Sequence, residues 1–424
     1  MSYTPRLLLV GCGLMGKRHI GGIYEIRKSG LFQARLVGVV DAIPERASEA
    51  AQLAEKMLGE RPMQFSSLHE AERAAEFEAA DICTDPATHH KIAQPLLERG
   101  VSCIVEKPLS PTVRGCKLML DAANRGGGIL ALAENYRRDP ANRLAKWMIE
   151  GGELGGWLAA AQIVVGGGDN VLLTPWRHKK SGGILIDLCC HYTDIFLYYF
   201  GPPSGVQGSS ALLRRTRYER RVRGDSVEKT SLEAEAEDFL SACYFYGGAV
   251  ATLFVNLAAS GEGIWRRTVY LEEGSIDVPM ERTGEPVKTS RPSDSDYLTL
   301  RPHTVFTGQR TGTPYSLSPS TAAEVYDKET RALFPGLING YKMDFWEVDR
   351  KLIALELLDF LRCVVDGGRP ETGGFEGMLS VAMVLAALES SHLGRTVSLD
   401  GILELKTERY QERINKELGL VSDK

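Results

Sequence analysis

The sequence contains no Cys-x-x-Cys pair and no cluster of cysteine and histidine at zinc-ligand spacing. Its eight cysteines, Cys12, Cys83, Cys103, Cys116, Cys189, Cys190, Cys243 and Cys363, lie mostly in apolar runs. That suits small buried hydrophobes in a reducing compartment and implies no metal site. Excess positive charge is missing as well. With 50 Lys and Arg against 55 Asp and Glu the formal charge is -5, so nothing favours a phosphate backbone, and nucleic acid is not expected as a partner. Long apolar runs are scarce: the run 248–260 is too short to cross a bilayer, and the opening MSYTPRLLLVGCG enters a strand without a signal-peptide layout. A cytoplasmic protein with no membrane partner is the expectation. No repeat array is evident, and the hydrophobic and charged fractions of 43% and 25% are ordinary for a globular chain.

What the sequence does have is length and a regular alternation of strand and helix signals. At 424 residues it exceeds the usual single hydrophobic core, and two domains are predicted. A β-rich run at 6–10 is followed by Gly11-Cys12-Gly13-Leu14-Met15-Gly16 and a helical stretch over 17–28. In a strand, GxGxxG, helix unit the first glycine allows the tight turn, the second lets a pyrophosphate reach the backbone, and the third brings helix and strand together. Glycine turns also arise there for steric reasons alone, so the context has to support the reading. A second strand at 34–40 ends in Asp41, 25 residues after Gly16, near the spacing at which an acid meets the adenosine ribose. Its charge would repel a 2′-phosphate and favours NAD over NADP, a preference that nearby Arg46 softens.

Further apolar strands are predicted at 80–84, 101–105 and 129–133, and in a parallel sheet the loops at their carboxyl ends face the ligand crevice. The first loop is Asp85-Pro86-Ala87-Thr88-His89-His90. Of its histidines, either of which could cap the next helix, His89 is the better candidate for a cofactor or substrate contact and His90 for a structural role. In the second, Glu106-Lys107-Pro108, a lysine between an apolar strand and a proline is aimed into the crevice, where its ammonium can hold a hydroxyl near a nicotinamide. The third opens as Glu134-Asn135-Tyr136-Arg137-Arg138. Later comes GGILIDLCCHYTDIFLYYFG at 182–201, which predicts a helix after Gly183 with Asp187 and His191 spaced i,i+4 and Asp194 on the same stripe. Taken alone, an Asp–His pair one turn apart is more often a hydrogen-bonded core pair than a site.

As an ordered set, GCGLMG, Asp41, TDPATHH, EKP and the Asp187-x-x-x-His191 pair resemble the Gfo/Idh/MocA oxidoreductases, the glucose-fructose oxidoreductase and inositol dehydrogenase type. Residues 359–399 resemble the closing helical region of that family. The resemblance implies an α/β N-terminal Rossmann NAD-binding domain over 1–138. It also implies an α+β substrate-binding and oligomerisation domain over 139–424 with a large open, mostly antiparallel sheet. Strand-like runs at 157–165, 206–213, 231–235, 242–246, 249–256 and 268–272 agree with such a sheet, as does the hairpin signal Gly247-Gly248. In the family the sheet face serves as an interface, so a homodimer or homotetramer is implied. A Pro-, Ser-, Thr- and Gly-rich insertion at 282–341 exceeds a minimal family member and reads as a lid, an oligomer arm or a mobile loop. His303, Tyr315 and Tyr326 within it could reach a substrate. Cys189 stands where the family often has glycine.

The resemblance implies Lys107 and His191 as the catalytic pair, with Asp187 contacting the substrate or orienting the imidazole. Cofactor contacts fall to Gly11, Gly13, Leu14, Met15, Gly16, Asp41, Thr84, Pro86, His89, Glu106 and Lys107. Substrate contacts fall to Lys107, Tyr136, Arg137, Trp176, Arg177, Asp187 and His191, with Trp176 equally readable as interdomain packing and Asp194 as a structural hydrogen bond. The expected reaction moves a hydride between NAD and a secondary hydroxyl of a sugar, sugar derivative or cyclitol. Histidine, with an ordinary pKa of about 6.5, can take the hydroxyl proton, and Lys107 can stabilise charge on the oxygen. Two alternatives are an oxidoreductive glycosidase that retains its NAD and a non-catalytic NAD-binding sensor.

Overall fold

The computed structural model describes residues 3–172, 174–180, 183–223, 226–291, 312–338 and 340–421. Six short strands open the chain: β1 (Arg6–Val10), β2 (Arg35–Val40), β3 (Met63–Phe65), β4 (Ala79–Ile82), β5 (Ser102–Glu106) and β6 (Leu130–Ala133). They form one wholly parallel sheet in the order β3-β2-β1-β4-β5-β6. The three strands β4, β5 and β6 are buried along their whole length, as strands of a parallel sheet covered on both faces are. Helices α1 (Leu14–Lys28), α2 (Pro44–Leu58), α3 (Leu68–Ala74), α4 (His89–Glu98) and α5 (Val113–Gly126) supply the crossovers. Strand order reverses between β1 and β4, so a crevice opens beyond the carboxyl ends of these strands.

After β6 a short turn at Tyr136–Arg138 leads into α6 (Pro140–Gly151), whose N-terminus is capped by Asp139 accepting the Ala141 N–H at 3.0 Å. The second part of the chain contributes β7 (Trp157–Val165), α7 (Ile184–Phe200), β8 (Gly205–Ala211), β9 (Thr216–Arg223), β10 (Ser226–Glu233), β11 (Phe239–Tyr246), β12 (Ala249–Asn256), β13 (Ile264–Leu271), β14 (Gly274–Val278), β15 (Lys288–Ser290), β16 (Thr313–Pro314) and β17 (Val397–Ser398). Nine of these strands form a mixed sheet in the order β16-β15-β14-β13-β7-β12-β11-β8-β17, antiparallel throughout except between β7 and β12. Gly247 and Gly248 turn the β11–β12 hairpin as their sequence predicts, with Tyr246 opposite Ala249. A separate hairpin pairs β9 with β10; the predicted run at 231–235 catches only the end of it, because the charged TRYERRVR lacks apolar alternation.

Burial alternates along β11 and β12, and the inner face is covered by α7 and by the helix Gly374–Leu393. That helix is long and apolar enough to cross a membrane, a length that the run at 248–260 did not reveal, and here it lies in the core. Its backbone comes so close to β8 that a Cβ at Gly208 would stand 2.3 Å from the Ala387 carbonyl oxygen.

The two parts divided at residue 138 pack on one another: the later helix Phe345–Asp366 lies along α1 of the first domain. Ile353 takes the space a side chain at Gly22 would need, Asp349 receives Arg18, and Arg350 reaches Glu25 at 3.2 Å. The segment 282–341 is less irregular than its composition suggests. Its described parts add β15 and β16 to the sheet and form the helices Pro319–Val325 and Lys328–Leu333. Tyr315 and Tyr326 face Pro140, Ala141 and Leu144 of α6 and do not turn toward the crevice; His303 lies outside the described residues.

Candidate active site

The turn after β1 carries the first part of the site. Gly11 has φ 95°, and a Cβ there would lie 2.7 Å from the Cys83 carbonyl, while one at Gly16 would lie 2.1 Å from the Gly11 oxygen. Both are glycine because backbone is in the way. At Gly13, by contrast, a Cβ would meet nothing within 4 Å, which leaves an open cradle at the start of α1. No side chain caps that helix, so its first N–H groups face the crevice together with exposed Leu14 and half-buried Met15. Thr84 packs beside Gly11, and buried Pro86 shapes the same edge. Asp41 stands at the end of β2, its carboxylate accepting the Cys12 N–H at 2.8 Å and the Ile43 N–H at 2.9 Å. A diphosphate fits the open cradle and a ribose diol fits the acid, so these residues suit NAD.

Across the crevice, Gly183 with φ 57° releases the chain into α7, and Asp187, His191 and Asp194 line one stripe of it. Each takes a different partner. Asp187, buried in the first turn, accepts Lys107 Nζ at 3.2 Å and Arg177 Nε at 2.7 Å, and Lys107 Nζ also reaches the Asp187 carbonyl at 3.0 Å. Burial raises its pKa, but Lys107 and Arg177 outweigh this and hold it below the usual carboxylate range. Burial likewise opposes the Lys107 charge; Asp187 prevails, so Lys107 remains an ammonium at neutral pH.

His191 Nδ1 lies 2.7 Å from Glu134 Oε2, and its ring stacks on Tyr136 with centroids 3.9 Å apart and planes 5° from parallel. Nε2 has no hydrogen-bond partner among the described residues. Burial, then Lys107, pushes the imidazole well below its ordinary pKa, while burial lifts Glu134 to about 7. The imidazole is therefore neutral, and when Glu134 is ionised it accepts Nδ1–H and leaves the Nε2 lone pair free. Such a nitrogen can accept a proton.

Other candidates are differently employed. His89, expected at the cofactor or substrate, is wholly buried, with its nitrogens 3.2 Å from the Leu109 carbonyl and 3.1 Å from that of Thr84; it ties two loops together. His90 is buried too. Arg137, expected at the substrate, is buried in a two-pronged pair with Asp194, which gives Asp194 its structural role. Glu106 turns inward, one oxygen 3.0 Å from His19 Nε2 and the other accepting the Lys107 N–H at 3.1 Å. Trp176 is half-buried under the Arg177 guanidinium at 4.6 Å, and so braces the residue that grips Asp187.

Sequence reasoning left Asp187 open as a substrate contact or as the group that orients His191, and passed over Glu134. The signal was available: Glu134 follows a buried apolar strand at its carboxyl end, as Lys107 does. Arg282 was missed as well, and nothing local marks it. It comes from the far side of the chain to lie 5.3 Å from the Tyr136 ring centre.

Known proteins share the two-part organisation of the chain. Residues 6–134 match the family model described as oxidoreductase family, NAD-binding Rossmann fold, and residues 142–277 match the GFO/IDH/MocA C-terminal domain. Levoglucosan dehydrogenase of Pseudarthrobacter phenanthrenivorans is 29% identical over 71% of this chain and 79% of its own length. D-apiose dehydrogenase of Paraburkholderia graminis is 23% identical over 93% and 89%, and the NAD(+)-dependent scyllo-inositol 2-dehydrogenase of Bacillus subtilis is 24% identical over 94% and 98%. Among solved structures, levoglucosan dehydrogenase with NADH and levoglucosan superposes with a TM-score of 0.73 at 24% identity, covering 94% of this chain and all of that one, a likeness of fold.

Proposed function

The chain belongs to the Gfo/Idh/MocA family of NAD-dependent oxidoreductases, and from that premise we propose that it oxidises a secondary hydroxyl of a sugar, sugar derivative or cyclitol, or reduces the corresponding ketone. Its named relatives dehydrogenate levoglucosan, D-apiose and inositols. One observation carries the reading. Lys107, from the first domain, binds Asp187 one helical turn before His191 of the second, the lysine a fixed ammonium and the histidine a neutral imidazole with an open Nε2.

When bound, NAD supplies the hydride acceptor. The residues of this chain do the remainder. Lys107 Nζ, held by Asp187, donates to the substrate hydroxyl and offsets the negative charge that grows on its oxygen. His191 Nε2 takes the hydroxyl proton, and Glu134 on the other nitrogen stabilises the imidazolium that results. Asp187 keeps Lys107 and Arg177 in place and leaves the orientation of the imidazole to Glu134 and Tyr136. In the reductive direction the same groups return the proton.

We further infer a homo-oligomer in a cytoplasmic setting. The outer face of the large sheet presents Ile163, Val250, Phe254, Ile264 and Tyr270 without a covering layer, and such apolar area is usually an interface.

The test is turnover with levoglucosan, D-apiose and inositols, NADH being followed by absorbance. His191→Ala and Lys107→Ala each lose about 10²- to 10⁴-fold in kcat while NAD still binds. Wild-type rates in both variants would remove the assignment.

A further inference from the structure

Arg282 is one of two non-glycine residues among the described ones with a left-handed backbone, at φ 68°. Glycine would hold that conformation freely and arginine holds it at a cost, so the side chain must return something. Its side chain, 10% exposed, lies against the site. Its Nε donates to Asp349 Oδ1 at 2.8 Å, its Nη2 donates to Asn135 Oδ1 at 2.8 Å, and its guanidinium carbon lies 5.3 Å from the Tyr136 ring centre. The backbone N–H is tied too, to Asp139 Oδ2 at 2.9 Å.

Each partner leads onward. Asp349, fully buried on the helix Phe345–Asp366, also accepts Arg18 Nε at 2.7 Å, and Arg18 sits on α1 two residues beyond Gly16. Asn135 and Tyr136 follow Glu134 directly. Three successive residues therefore serve one imidazole: Glu134 holds Nδ1, Tyr136 lies flat on the ring, and Asn135 fastens the turn to Arg282. We propose that Arg282 is a positioning residue that locks the His191 imidazole to the dinucleotide-binding helix through Asp349 and Arg18. The proposal rests on the reading of His191 as the proton acceptor.

An electrostatic consequence makes it testable. The charged groups around the imidazole are Lys107 and Arg282 on one side of the ledger and Glu134, Asp187 and Glu106 on the other, with the Tyr136 hydroxyl neutral. Burial, then Lys107, then Arg282 oppose its protonation. Taking away the guanidinium removes one of two nearby cations and one anchor of the stack.

The experiment uses the full chain saturated with NAD and labelled with ¹⁵N-histidine, in wild type and in Arg282→Gln, Arg282→Gly and Arg282→Lys. His191 is identified by its missing signal in His191→Gln. Ring-nitrogen spectra from about pH 5 to about pH 9 report tautomer and titration without any substrate. The glycine variant relieves the backbone, so a defect there cannot be misfolding from strain. The expected result is a single Nδ1–H tautomer, unprotonated across the range, in wild type and Arg282→Lys. In Arg282→Gln and Arg282→Gly the tautomers mix, and protonation becomes visible at the acid end of the range, where wild type shows none. With levoglucosan, D-apiose or an inositol as substrate, the acid limb of kcat/KM moves to higher pH and Arg282→Lys restores it. An unchanged tautomer and titration in both the Gln and Gly variants overturns the proposal. Altered titration with no turnover by any protein, wild type included, upholds the positioning role and overturns only the dehydrogenase reading.

Discussion

His19 and His191 are both buried imidazoles beside carboxylates, one on each side of the crevice, and their surroundings drive them to opposite charge states. His19, on α1, has Nδ1 2.9 Å from Asp81 Oδ2 and Nε2 3.0 Å from Glu106 Oε1, with no exposed surface. Burial opposes its charge, yet Asp81 raises its pKa well above the ordinary value, so it is an imidazolium that ties α1 to β4 and β5. His191 has one hydrogen-bonded carboxylate, two neighbouring cations and one open nitrogen, and it is neutral. The difference lies in the neighbours. A histidine with an acid on each nitrogen is a structural cation, whereas one with an acid on one nitrogen only, nearby cations and a free lone pair is equipped to accept a proton. Glu106 links the two, holding His19 with one oxygen and the Lys107 backbone with the other.

Exchanging what separates the two histidines tests the comparison. The larger effect is expected at His19. His19→Gln leaves Asp81 and Glu106 buried without their cation and should cost about 3–5 kcal/mol of stability near pH 6. Because the folded pKa of His19 is raised, its contribution is complete below the unfolded value of about 6.5 and fades as pH rises through the folded one. Denaturant unfolding should therefore show the gap to wild type narrowing as the solution is made alkaline. A gap that widens instead would mean His19 is neutral and the contrast false. A smaller effect is expected at Glu134. Glu134→Gln keeps an acceptor for Nδ1–H but removes the charge that supports the imidazolium, so kcat should fall about 10- to 100-fold with KM little changed. Steady-state kinetics that match wild type would show that Glu134 serves only packing.

Much of the fold could be read from the sequence because it rests on local signals. The glycine turn after β1, the apolar strands β4 to β6 and the Gly247-Gly248 hairpin each announce themselves within a few residues. Lys107 drew notice from its place after a buried strand and His191 from its place on an apolar helix, but their pairing came only from the resemblance to a known family. The remainder depended on which side chains meet across long separations. His89 occupies a crevice-facing loop, yet its ring turns into the protein between two carbonyls. Arg137 pairs with Asp194 over 57 positions, and Arg282 reaches Asn135 over 147. The helix Phe345–Asp366 returns to α1 through contacts such as Gly22 with Ile353, which no periodicity encodes.

The central claim is that His191 Nε2 and Lys107 Nζ converge on one hydroxyl. A crystal structure with NAD and the sugar identified by the turnover panel addresses it most directly. The account predicts a secondary hydroxyl within about 3 Å of both atoms, its carbon facing the nicotinamide. A substrate held by other residues, with His191 Nε2 left facing solvent, would contradict it.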